Sequence, residues 1–200
     1  RMTYSVPKIS FSRNGRDVVR RGVAFAAFLG ALVTVRASFA DHYHVPSGSM
    51  EPTVEVSDHV VVAKAAYGLR VPFTSHYVTG TPAPRRGDVV VLSSPEDGAV
   101  LLKRVVAVGG DLVAVRGGRV ELSAGSSAGE SAREGRDFVA NVDLGPGPDL
   151  PTTRVPEGFV LVLGDNRGNS RDGRTFGFVS ADALLGRALL VVGRSGARKL

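Results

Sequence analysis

The chain has 200 residues, 43% of them hydrophobic, with a formal charge of +6 and no cysteine. That length and apolar content suffice for one well-buried domain plus an appendage, and they exclude a disordered chain. The missing thiols exclude disulfides and cysteine-ligated zinc while leaving the compartment open.

The charge is unevenly placed. Residues 1–22 carry Arg1, Lys8, Arg13, Arg16, Arg20 and Arg21 against the single Asp17, so this tail holds +5 of the +6. A nucleic-acid binder carries its basic patch on the folded domain, so the balance argues against DNA or RNA and for a cytoplasmic tail. An uncharged apolar run from Val23 to Val35 follows, interrupted by Arg36. At about 1.5 Å per residue that run alone falls short of a hydrocarbon layer about 30 Å thick. With Arg36 snorkelling to the headgroups, residues 23–40 make a short transmembrane helix. The Arg/Lys excess before it sets the N-terminus inside and residues 41–200 outside. The same stretch also reads as a cleaved secretory signal, with Ser38-Phe39-Ala40 as a small-x-small site. Both readings send the rest of the chain across the membrane.

The next stretch, Pro46-Ser47-Gly48-Ser49-Met50-Glu51-Pro52-Thr53, has the composition of a rigid turn. Its prolines fix φ and remove donors, Gly48 admits positive φ, and a serine stands on each side of that glycine. Such a turn can be a plain surface loop, or it can present one Ser as a nucleophile, and a nucleophilic Ser needs a base.

Downstream, Asp58–Ala63, Gly87–Leu92 and Val100–Val108 are β-branched runs bounded by turn residues, and read as strands. Leu112–Val115 and Arg119–Leu122 flank Arg116-Gly117-Gly118, a hairpin signal. Phe159–Leu163 and Leu185–Val192 are two more strands, while residues 123–153 shift to Gly, Ser, Ala, Pro and acidic residues and read as a loop or extended ribbon. No long amphipathic helix appears, so the domain is mainly β.

Lys103 is the unusual residue, a cation inside an apolar strand beside Arg104. Side chains alternate along a strand, so one of the two faces the core. Arg keeps its proton, whereas a desolvated Lys can lose its own and serve as the base for Ser49. A snorkelling strand-edge lysine would look the same. His42 and His44 lie in a polar linker, His59 begins a strand and His76 sits in a loop; each is a formal candidate base. His42 and His44 also make half a metal site, but no partner cluster accompanies them and no metal is expected. Finally, Gly164–Arg174 is dense in short hydrogen-bonding side chains directly after a strand. A surface turn cluster or a calcium loop would look similar, though it departs from the EF-hand spacing; as a functional site, its Ser170 and Asp172 could orient a buried base.

Together these segments resemble the type I signal peptidases, the membrane-bound Ser/Lys proteases that remove signal peptides from exported preproteins. The residues that carry the resemblance are Pro46–Thr53, Arg86-Gly-Asp-Val-Val-Val91, Lys103-Arg-Val-Val-Ala-Val-Gly-Gly-Asp111, Gly164-Asp-Asn-Arg167 with Asn169-Ser170, and Phe176-Gly-Phe-Val179, in the family's order. The resemblance implies a β-rich catalytic core over residues 41–200 with an extended β-ribbon insertion at 112–153, preceded by one transmembrane helix at 23–40 and the tail at 1–22.

It also implies roles. Ser49 is the nucleophile and Lys103 the general base. Ser47 joins the Ser49 N–H in an oxyanion hole. Ser170 positions the lysine, Asp172 and Arg174 hold that loop, and Val45 and Leu102 line shallow pockets that fit Ala-x-Ala. No cofactor is implied. The expected setting is a bacterial cell membrane crossed once, with the catalytic domain outside and a monomer meeting preprotein at the lipid surface. Gly168 departs from the family, which usually has an acidic residue there; the departure implies a missing salt bridge and a looser loop. The rival readings are a self-cleaving Ser/Lys protease and a non-catalytic tethered β module.

Overall fold

Valine-rich runs of five to ten residues become strands because branched side chains pack well on a pleated surface. The computed structural model describes residues 18–28, 40–68, 83–123, 138–194 and 196–200. It divides into two units, Arg1–Ala37 and Ser38–Leu200. In the first, residues 18–28 form helix α1. No helix among the described residues is long and apolar enough to cross a membrane; most of the span expected at 23–40 lies outside the described residues.

The second unit is mainly β. Among its described residues, strands β1 (Ala40–His44), β2 (His59–Ala63), β3 (Val89–Ser93), β4 (Val100–Val108), β8 (Phe159–Leu163), β9 (Val179–Ser180) and β10 (Leu184–Gly193) pair in the order β1-β2-β10-β3-β4-β8-β9, with β11 (Gly196–Lys199) also on β10. Strands β5 (Leu112–Arg116), β6 (Arg119–Ser123) and β7 (Leu150–Arg154) form a second sheet in the order β6-β5-β7. The paired strands are antiparallel.

The central strands are covered on both faces, which explains why they read as unbroken apolar runs and not as alternating ones. Along β3, Val89 and Val91 join one core cluster with Val60, Val62 and Val191, while Val90 and Leu92 join another with Val105, Val160 and Val162. A third cluster holds Val106, Ala107, Leu161 and Leu163 with Val113, Val115 and Val120 of the smaller sheet. Met50 and Val54 sit in the first cluster, so the Ser49 turn is rooted in the core.

Several elements differ from the sequence reading. His42 and His44 are not in a linker but on β1, an edge strand of the larger sheet whose polar alternation hides it. Within 123–153, Leu150–Arg154 is a strand; Pro151 is tolerated because β7 is an edge, where a missing donor need not be paired. Lys103 and Arg104 are both buried, at 3% and 8% exposure, where alternation placed only one inward. The Ser49 turn covers the first and the loop after β8 covers the second.

Candidate active site

Ser49 lies in a turn closed by backbone bonds from Glu51 N to Gly48 O (3.2 Å) and from Val54 N to Met50 O (2.9 Å). Met50 and Val54, which follow it, are fully buried. β4 pairs with β3 in a register that sets Lys103 opposite Val90. From there Lys103 Nζ reaches to 2.8 Å from Ser49 Oγ, a buried hydrogen bond that exists in either protonation state of the amine.

Burial pushes the Lys103 pKa down to about 8; the carboxylates of Asp172 and Asp165 oppose the shift and Arg174 adds to it. A lysine with that pKa is roughly one-tenth neutral at pH 7 and can accept a proton from a hydroxyl beside it. Ser47 Oγ stands 3.5 Å from Ser49 Oγ.

The loop from Gly164 to Arg174 wraps the other side. Asn166 holds the Ser49 turn by that turn's main chain: its N–H donates to Ser49 O and its Nδ2 to Gly48 O, both at 3.1 Å. Asp165 accepts two bonds from Arg104, at 2.8 and 2.7 Å, and one from the Thr53 hydroxyl. Asp172 caps the short helix α2 (Gly173–Phe176). It also accepts Gly164 N–H at 3.0 Å and pairs with Arg174 at two points, both 2.8 Å, with both side chains fully buried. Arg174 also donates to Pro146 O and Arg167 O, which ties the loop to the 138–149 segment.

Ser170 reaches the same place without a bond. Its Oγ is buried and has no hydrogen-bond partner among the described residues, although the family resemblance implies one to the lysine. A Cβ at Gly164 would overlap the Ser170 hydroxyl and the Ser49 carbonyl oxygen, so the bare glycine is what lets the two chains meet. At Gly168, where the family usually has an acidic residue, the Leu144 and Gly145 carbonyls fill the space where a side chain would stand. Arg167 is buried and donates to Gly164 O, Gly118 O and Val139 O.

A cleft of about 250 Å³ opens above Ser49 and Lys103. Val45 and Leu102 both line it, with Tyr43, Ser47 and Leu101. His44 also lines the cleft, but no histidine bonds Ser49 among the described residues; His44 packs edge to face on His59, with His42 beside them, and His76 lies outside the described residues. No group among the described residues is arranged to hold a metal ion.

Ser47, Ser49, Lys103, Ser170, Asp172 and Arg174, all expected from the sequence, lie together. Asn166, Asp165, Arg104 and Thr53 join them without a role expected from the sequence. Asn166 acts through its backbone and amide, which leave no pattern to read. Arg104 and Asp165 did carry a signal, since each is a charge in or beside an apolar strand.

A serine hydroxyl bonded to a buried lysine of lowered pKa, in the lining of a cleft, sets a hydroxyl beside a group able to take its proton. A family model described as "Signal peptidase, peptidase S26" matches residues 18–193, and the chain belongs to that family. It is 29% identical to signal peptidase I of Pseudomonas fluorescens, over 87% of this chain and 72% of that protein. It is 33% identical to the probable signal peptidase I-1 of a Synechocystis species, over 78% and 72%. A crystal structure of a signal peptidase I from Enterococcus faecalis V583, 29% identical, overlaps 53% of this chain and 97% of that one with a TM-score of 0.37.

Proposed function

We propose that the chain removes N-terminal signal peptides from exported preproteins, cutting after small residues by a Ser49/Lys103 dyad. The observation that carries this reading is the 2.8 Å contact between Ser49 Oγ and a lysine whose pKa is lowered to about 8. Family membership supports the substrate class, since the relatives are named signal peptidases.

In this reading the preprotein lies extended in the cleft, its main chain paired as an added strand. Its small side chains meet Val45 and Leu102, which line the cleft. Ser49 Oγ attacks the scissile carbonyl carbon while Lys103 takes the hydroxyl proton. The oxyanion is met by the Ser49 N–H and the Ser47 hydroxyl. As the tetrahedral adduct collapses, the Lys103 ammonium gives its proton to the leaving amine, the new N-terminus of the mature protein. Lys103 then deprotonates a water that cleaves the ester, releasing the signal peptide as a carboxylate and restoring Ser49. Ser170 supplies a hydroxyl to the lysine during these steps, from a loop that Asp172 and Arg174 hold rigid.

Both halves of the dyad come from one chain, which supports a monomer. Residues 23–40 anchor it as a single span in a bacterial membrane, tail inside and catalytic domain outside. An anchored enzyme and an anchored signal peptide then meet in two dimensions at raised effective concentration.

The test is incubation of the detergent-solubilised chain with a preprotein bearing an Ala-x-Ala site, beside folded Ser49→Ala and Lys103→Ala variants, read by intact mass. Cleavage in trans after the small residue, absent in both variants, is the expected result. A wild-type chain that only cuts itself would favour the self-cleaving reading, and no cleavage at all the non-catalytic module.

A further inference from the structure

Arg198 lies on β11, outside the residues 18–193 that the family model matches. Its Nη2 donates to the Thr53 carbonyl at 2.9 Å and to Asp58 Oδ2 at 3.2 Å. Those acceptors are the far side and the neck of the loop that carries Ser49. The neck is closed by bonds from Val45 N to Asp58 O (2.9 Å) and from Ser57 N to Val45 O (2.8 Å). Asp58 is buried at 5% exposure, and its Oδ2 also accepts Glu55 N–H at 3.1 Å.

Thr53 is the point where two holds meet. Its hydroxyl donates to Asp165, in the loop whose Asn166 grips the Ser49 main chain, and its carbonyl accepts from Arg198. Between Ser49 and Thr53 the chain has little freedom, because the turn bonds close it and Met50 and Val54 are locked in the core. Packed interiors transmit displacement instead of absorbing it, so a shift at Thr53 is carried to Ser49. β11 itself does not need the side chain to stay in place, since it pairs with β10 from Leu190↔Lys199 to Gly193↔Gly196.

We propose that Arg198 is a positioning residue for the nucleophile, a guanidinium on the last strand that fixes the Ser49 loop at Thr53 and Asp58 and so sets the distance from Ser49 Oγ to Lys103. The proposal rests on reading Ser49 as the nucleophile. Misplacement of a reacting group by about 1 Å costs on the order of a hundredfold in rate. Loss of one of two holds should therefore slow the acylation step while leaving the cleft walls, and substrate binding, intact.

The test compares steady-state cleavage of an Ala-x-Ala preprotein by the full detergent-solubilised chain, by Arg198→Met, Arg198→Lys and the neighbouring Lys199→Ala, with Ser49→Ala as the blank. Circular dichroism and a thermal melt report folding. The expected result is a kcat about ten- to a hundredfold lower in Arg198→Met with KM unchanged. Arg198→Lys, which keeps the charge and its donors without the planar guanidinium, should fall between it and wild type, and Lys199→Ala should match wild type. Folded Arg198→Met with wild-type kcat and only a lower Tm overturns the proposal, because the arginine would then serve stability alone. Should Arg198→Met not fold, Arg198→Lys decides by the same comparison of kcat. Activity that survives in Ser49→Ala, or no activity in wild type, instead defeats the nucleophile assignment, and this proposal falls with it.

Discussion

Arg104 and Asp165 face each other at two points, 2.8 and 2.7 Å, one residue beyond Lys103 on β4 and one before Asn166 in the loop that grips Ser49. The pair joins the strand that carries the base to the loop that holds the nucleophile. Both side chains are nearly or fully buried, so neither charge can fall back on water. Asp165→Asn leaves the guanidinium uncompensated, a change that costs about 3–5 kcal/mol at buried pairs. The Asp165 carboxylate also raises the Lys103 pKa, so its removal lowers that pKa further. The expected outcome is a large fall in Tm together with an acid limb of kcat/KM displaced to lower pH. A thermal melt and a pH–rate profile check both, and an unmoved acid limb would remove Asp165 from the electrostatics of the base.

Lys103 gives the pH dependence of wild type. The base works as the neutral amine, so kcat/KM should rise through a midpoint near 8 and level off above it. A profile that is flat from acid to strongly alkaline pH would count against Lys103 as base.

The same shift has a consequence for stability. The folded pKa lies near 8 and the ordinary value is 10.5, so between them the unfolded chain binds the extra proton and stability rises with pH across that window. Below about pH 8 the buried ammonium costs on the order of 3 kcal/mol. Lys103→Met, of similar shape without the charge, should abolish cleavage and yet melt several degrees higher at pH 7, with the gain shrinking towards pH 10. Equal melting temperatures at both pH values would show that the amine is not penalised in the fold.

Ser170 separates function from stability in a different way. Its Oγ is buried and bonds no other described residue, so removing it breaks no hydrogen bond among them. Ser170→Ala should therefore leave Tm unchanged or slightly raised. Its kcat should nonetheless fall about tenfold or more, because general-base steps of this kind are commonly worth 10²–10⁴ and depend on the orientation of the base. A variant with wild-type kcat would mean that the hydroxyl does not serve Lys103.

These residues also mark what the sequence makes legible. Ser49 and Lys103 stand out because each breaks its context, a hydroxyl in a proline-bounded turn and a cation in an apolar strand. The central strands are equally plain, since burial on both faces leaves continuous valine runs. Edge strands are not, because β1 and β7 have one side free and so tolerate histidine, aspartate and proline. Nor are main-chain holds, which depend on where a carbonyl comes to lie: Asn166 on Gly48, and Arg198 on Thr53 across 145 positions of sequence. Residue type alone says nothing of either.

Gly168 is where the family pattern and the local structure part. The pattern puts an acidic side chain there, which suggests that Gly168→Asp would add a salt bridge and firm the loop. Here, however, the Leu144 carbonyl carbon and oxygen and the Gly145 carbonyl oxygen occupy the place of the missing Cβ. Backbone cannot swing aside as the tip of a side chain can, and overpacking of this kind typically costs about 1–3 kcal/mol. A carboxylate would also face two carbonyl oxygens, which repel it. The 138–149 segment it would push away carries Asn141, whose backbone bonds both Asp165 and Arg167, and Pro146, which accepts from Arg174. Gly168→Asp should therefore lower Tm and reduce kcat together, by loosening both ends of the loop that holds Ser49 and Ser170. A thermal melt with parallel cleavage assays decides it: a variant more stable than wild type would mean that the segment yields and the family's salt bridge can be rebuilt.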